Sequence, residues 1–135
     1  MDKDKFKKLQ TNITRVTKIN TDNLEQDIIK TLETIKILTE VYYKELRKLN
    51  KLDVEYSGQY KQKYHHYRWQ SEEALTYNEI VNIYLKGDTE LRTLKEDKTE
   101  LEFQVEEIQK YIELLKSKQW AIKDFISWRK FLAGD

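Results

Sequence analysis

The sequence predicts an all-α protein made of a few long helices, and three observations carry that prediction. Proline is absent and glycine occurs only at Gly58, Gly87 and Gly134 in 135 residues, where average usage would place about 7 prolines and 9 glycines. A sheet protein needs such residues for its turns; long helices do not. Charged residues make up 36% of the chain and the mean hydropathy is −0.86, which fits helices with narrow apolar seams. Finally, apolar residues recur every three to four positions over most of the chain.

Phe6, Leu9, Ile13 and Val16 define a short N-terminal helix, weakened by its threonines and Asn12. Asn20-Thr21-Asp22 then reads as a cap, with Asp22 and Glu25 in the spacing of a capping box. A long helix follows. Its seam is Leu24, Ile28, Ile35, Leu38, Tyr42, Leu49, Leu52 and Tyr56, with Thr31 and Glu45 as its polar members. Ser57-Gly58 is expected to end it, since glycine suits the left-handed position after a helix. A second helix returning through Tyr60, Tyr64, Tyr67, Leu75, Ile80, Ile83 and Tyr84 would complete a long antiparallel hairpin. Gly87-Asp88-Thr89 either breaks the chain or bends it.

Next comes the most regular pattern in the sequence. Leu91, Leu94, Lys98, Leu101, Val105, Ile108, Ile112 and Leu115 alternate in steps of three and four, the coiled-coil period. Such a seam needs a partner, either elsewhere in the chain or in another subunit. Ser117-Lys118-Gln119 interrupts it, and a last amphipathic helix is expected to run to Ala133 and stop at Gly134. Its apolar face includes Trp120, Ile122, Phe125, Trp128 and Phe131 and covers about two-thirds of a helical wheel, more than one neighbour would cover. Its tryptophans suit interface anchors. The candidate assembly residues are therefore Leu101, Val105, Ile108, Ile112, Leu115, Trp120, Ile122, Phe125, Trp128 and Phe131.

Several functional classes find little support. Without cysteine there is no disulfide or thiolate chemistry, and a reducing compartment is permitted. The first five residues lack an apolar h-region, so secretion is not expected. No apolar run approaches the roughly 18–20 residues that span a bilayer. No phosphate-cradling glycine loop or nucleophile elbow is present. His65 and His66 are adjacent, about 100° apart on a helix, rather than at the i, i+4 spacing of paired metal ligands. Glu96-Asp97-Lys98 sits among other charges of the heptad helix and reads as a solvated face. No enzyme activity, metal or cofactor is expected.

Charge is unevenly spread. Residues 44–68 hold seven basic residues against three acidic, and residues 69–114 hold five against twelve. Lys44, Arg47, Lys48 and Lys51 lie at i, i+3, i+4 and i+7 and form one basic stripe. Lys61, Lys63, Tyr64, His65, His66, Tyr67, Arg68 and Trp69 interleave cations with rings. That combination suits a single strand: cations neutralise phosphates and unpaired bases stack on rings. Equally, Tyr64, Tyr67 and Trp69 could belong to the helix seam, with the lysines keeping it solvated. The candidate DNA contacts are Lys44, Arg47, Lys48, Lys51, Lys61, Lys63, Tyr64, Tyr67, Arg68 and Trp69.

Lys116-Ser117-Lys118, Ala121-Ile122-Lys123, Arg129, Phe131 and Ala133-Gly134 resemble the C-terminus of the UvsY recombination mediators of T-even-type phages, and Tyr56-Ser57-Gly58 is a second match. Identity between these anchors is sparse. The family carries a basic Leu-Lys-Ala-Arg motif before the Tyr-Ser-Gly turn; here Asn50 and Leu52 stand at its basic positions, and Arg47, Lys48 and Lys51 are the nearest cations. The resemblance implies a single-stranded-DNA-binding mediator that forms a ring of six or seven subunits. It also implies contacts with a phage recombinase and a phage single-strand-binding protein, in the cytoplasm of an infected bacterial cell, and a C-terminal assembly region. The expected division is residues 1–87 for DNA binding and 88–135 for oligomerisation. The rival expectations are a purely structural coiled-coil adaptor and a membrane-surface protein using the basic, tryptophan-bearing last helix.

Overall fold

The computed structural model describes residues 1–70 and 72–134. The described residues are predominantly helical, with no strand among them. The elements are α1 (Lys3–Val16), α2 (Leu24–His65), which widens into π-type turns over His66–Gln70, α3 (Tyr77–Glu79), continued by π-type turns over Ile80–Leu85, and α4 (Thr89–Leu132). They form two compact units, residues 1–45 with 104–135, and residues 46–103. These units cut across the division at residue 87, which concerns roles rather than contacts.

In the first unit, α1 starts where the Asp2 carboxylate accepts the Lys5 N–H at 2.8 Å. Its apolar stripe, Phe6, Ile13 and Val16, packs with Leu38 of α2 and with Ile108 and Leu115 of α4; Ile35, Tyr42 and Ile112 flank this core. The cap of α2 lies one residue later than expected: Asn23, not Asp22, accepts an end N–H, that of Gln26, at 3.1 Å. Asn20 instead folds the connection, accepting the Asp22 N–H at 3.1 Å.

Two polar interruptions of the seams, Lys118 and Glu45, are each ion-paired within the first unit. Lys118, on α4, is 5% exposed. Its ammonium donates to Asp27 Oδ1 at 2.6 Å, to the Val16 carbonyl at 2.6 Å and to Thr31 Oγ1 at 2.9 Å. Three donors meet three acceptors, so the buried charge is both paired and fully hydrogen-bonded, the condition under which burial is tolerated. This is why α4 continues through Ser117-Lys118-Gln119, where a break was expected: Lys118 occupies the seam position between Leu115 and Ile122. Glu45, a polar member of the α2 seam, pairs with the Met1 ammonium at 3.0 Å.

In the second unit, Ile80, Leu85 and Leu91 form the core, with Tyr56, Tyr60, Tyr64, Tyr67, Leu75 and Val81 packed against it. The expected stop at Ser57-Gly58 does not occur. The 42-residue α2 passes straight through it, and Tyr60 and Tyr64 continue the same helix instead of starting a returning one. A glycine costs a helix interior about 1 kcal/mol, too little to end a helix whose flanking tyrosines are packed. The chain leaves α2 only after His65. Thr76 then caps α3, accepting the Glu79 N–H at 3.2 Å.

Gly87-Asp88 is a true break. Asp88 caps α4 by accepting the Leu91 N–H at 3.0 Å, and its other oxygen takes Lys63 Nζ at 3.0 Å and the Tyr67 hydroxyl at 3.1 Å. Burial pushes the Asp88 carboxyl up, but these three donors outweigh it and hold it below its ordinary value. The pairs Asp53–Lys98, at 2.8 Å, and Lys63–Asp88 run in opposite order along the two helices, so these segments of α2 and α4 pack antiparallel.

Candidate nucleic-acid interface

Because α2 does not stop at Gly58, its outer face in the second unit is continuous. Arg47, Lys51, Val54, Gly58, Lys61 and His65 follow one another at steps of four, three, four, three and four. They therefore lie on one side of the helix, and all of them are exposed. The inward positions alternate with them: Leu49, Leu52, Tyr56, Tyr60, Lys63 and Tyr64 are half-buried. The outer row is a basic rail about 27 Å long, at 1.5 Å per residue. Arg47, Lys51 and Lys61 make no ion pair among the described residues. Lys48 is exposed beside the rail, and Glu55 is an exposed carboxylate on its flank. Lys44 is also exposed, on the part of α2 that belongs to the first unit.

Beyond His65 the wider turns present Arg68 and Trp69. Trp69 is 71% exposed, and the Arg68 guanidinium sits 5.2 Å from its ring centre. Arg68 also donates to the Tyr64 hydroxyl at 3.2 Å. A large exposed ring flanked by a cation can stack on a base while the cation meets a phosphate.

The remaining candidates are engaged inside the unit. Lys63 pairs with Asp88 and, at 3.1 Å, with Glu90; the hydrogen bond to Asp88 holds its ammonium above its ordinary value despite burial. Tyr64 and Tyr67 pack on the core, and the Tyr67 hydroxyl is committed to Asp88. These three shape the second unit, and the candidates that stand exposed are Arg47, Lys48, Lys51, Lys61, Arg68 and Trp69, with Lys44 further along α2. Reading Gly58 as a stop hid the rail. The three-four spacing of Arg47, Lys51, Lys61 and His65 across it was visible in the sequence.

The assembly candidates also divide. Leu101, Val105, Ile108, Leu115 and Ile122 are buried within the chain, and Ile112 flanks the first unit's core. The heptad seam is thus occupied internally. Trp120, Trp128 and Phe131 are exposed, at 65%, 57% and 70%, along with Leu114 and Leu132. Phe125 is half-buried. Trp128 and Phe131 stack on each other with ring centres 5.6 Å apart, while Lys123 lies over Trp120 and Arg129 over Phe125. The sequence missed Leu114, which shares the outer side of α4 with Phe125, Trp128 and Leu132 by the same three-four spacing.

No group of histidines and carboxylates able to hold a metal ion occurs among the described residues, and no helix there is long and apolar enough to cross a membrane. No family model, curated protein or solved structure matches the chain.

Proposed function

We propose that this chain is a single-stranded-DNA-binding recombination mediator, which helps load a phage recombinase onto strands covered by a phage single-strand-binding protein. The observation that carries the DNA half is the rail: Arg47, Lys51 and Lys61, exposed on one face of an unbroken helix, with Arg68 and the exposed Trp69 beyond its end. Cations in a row neutralise successive phosphates, and a stacked base adds about 1–3 kcal/mol. The mediator half, with its two protein partners and its place in the infected cell, rests on the resemblance of the C-terminal stretch to the UvsY family. The proposed action is non-covalent: the strand is held along α2 and passed on.

Assembly completes the proposal. A ring of six or seven subunits would cover Trp120, Trp128, Phe131 and Leu132, an exposed apolar group of the kind that marks interaction surfaces. It would also repeat the rail, so that weak individual sites on one strand gain avidity.

Fluorescence anisotropy with a labelled thymidine oligonucleotide at increasing salt tests the DNA reading. Binding that weakens steeply with salt is expected, because each phosphate contact releases a counterion. Absence of binding at low salt overturns it and leaves the structural adaptor. Tighter binding to anionic vesicles than to DNA favours the membrane-surface reading.

A further inference from the structure

A cavity of about 310 Å³ opens in the second unit, at the lower end of the roughly 300–1,000 Å³ typical of small-molecule sites. Tyr56 and Tyr60, from the inward side of α2, line it together with Val81, Leu85 and Leu91. Leu85 and Leu91 are buried, so the floor is apolar. The other lining residues are Lys86, Arg92 and Lys95, all exposed. Among the described residues, no carboxylate lines the cavity. The nearby Asp88 and Glu90 are paired with Lys63, and Lys98, 5.7 Å above the Tyr56 ring, is paired with Asp53. Lys86, Arg92 and Lys95 make no ion pair among the described residues.

Aromatic walls and an apolar floor take a flat ring, and three cations that make no ion pair among the described residues take an anion. We propose that this cavity is a nucleotide site, in which a base lies against Tyr56 and Tyr60 and its phosphates meet Lys86, Arg92 and Lys95. Burial raises the Tyr60 hydroxyl above its ordinary value, so at neutral pH it stays a hydrogen-bond donor, available to a base carbonyl. The site lies on the side of α2 roughly opposite the rail, and the two sites draw on different residues. It does not require the strand-binding reading. Its ligand is either a free nucleoside phosphate or a nucleotide unit of a strand.

The test is calorimetric titration of the full chain with thymidine 5′-triphosphate, inorganic tripolyphosphate and a thymidine oligonucleotide. Arg92→Glu with Lys95→Glu changes only exposed side chains and is expected to weaken nucleotide binding about tenfold. Tyr60→Phe, which keeps the ring, weakens it less, and Arg47→Ala with Lys61→Ala leaves it unchanged. If the triphosphate binds with this pattern, the ligand is a free nucleotide. If only the oligonucleotide responds to Arg92→Glu with Lys95→Glu, the ligand is a unit of the strand. Two results overturn the site: neither ligand is affected by that double substitution, or tripolyphosphate binds as tightly as the nucleotide with the same sensitivity, which reduces the cavity to a simple anion patch. Loss of oligonucleotide binding in the Arg47 and Lys61 variant alone bears on the rail and not on this site.

Discussion

Lys118 and Asp27 meet from positions 91 residues apart, and their buried contact ties α4 to α2 in the first unit. Removing one partner of such a pair leaves a buried charge, at a typical cost of about 3–5 kcal/mol, whereas replacing both with neutral residues of similar shape is often tolerated. Asp27→Asn is therefore expected to destabilise the protein by about 3 kcal/mol in urea unfolding, and Asp27→Asn with Lys118→Met to recover most of that loss. The pair also sets a pH dependence. Burial pushes the Asp27 carboxyl up, but the hydrogen bonds from Lys118 and the Asn20 N–H and the charges of Lys118 and Lys30 together carry it below its ordinary value. The folded state then holds Asp27 ionised where the unfolded chain protonates it. The stabilisation is complete above the usual carboxylate pKa of about 3.9 and is lost as pH falls through the lower, folded value. Urea midpoints measured from neutral to acid pH should fall less steeply in the neutral double variant.

Gly58 makes a second prediction at this scale. It sits inside α2, and a Cβ there would meet nothing within 4 Å. Gly58→Ala should stabilise the protein by about 0.5–1 kcal/mol through helix propensity. A loss of stability in the same urea titration would mean that the helix does stop at this glycine.

Helices that pack by periodicity were legible in the sequence, and those decided by a distant partner were not. The stripe Phe6, Ile13, Val16 marked α1, and the seam from Leu91 to Leu115 marked α4, because a three-four rhythm needs only neighbouring residues to be read. The boundaries needed more. Lys118 read as an interruption because nothing local shows that Asp27, Thr31 and the Val16 carbonyl receive its ammonium. Gly58 read as a stop because its local cost is visible, while the packing of Tyr56, Tyr60 and Tyr64 on Ile80, Leu85 and Leu91 is not. The candidate site followed the same rule. Arg47, Lys48 and Lys51 were found as a local stripe, but their extension to Lys61 depended on the helix continuing. Asp88 was read only as a possible break; its grip on Lys63 and Tyr67 engages two of the candidate residues within the second unit. Asp88→Ala should cost about 2–4 kcal/mol in urea unfolding, because it removes a helix cap and leaves Lys63 and Tyr67 short of an acceptor.

At the scale of the whole molecule, the proposed function needs a surface for DNA and a surface for other subunits. With Ile108 and Leu115 spent on the first unit's core, the proposed assembly would use the outer side and end of α4. Trp128→Ala with Phe131→Ala, both at exposed positions, should shift the native mass to smaller species while leaving the helical circular dichroism unchanged. A wild-type protein that is monomeric at micromolar concentration would contradict the ring.

The most direct test of the central claim compares two neutralised sets of cations: Arg47, Lys51 and Lys61 on the rail, and Lys7, Lys8 and Arg15 on α1, each changed to alanine. Single-strand affinity is measured for both across a range of salt. If the rail holds the strand, its triple variant loses tenfold or more in affinity and its salt slope falls by about 2, at roughly 0.7 per phosphate contact on a single strand; the α1 variant keeps both. Equal losses in the two variants, or a rail variant that binds with an unchanged slope, would contradict the account.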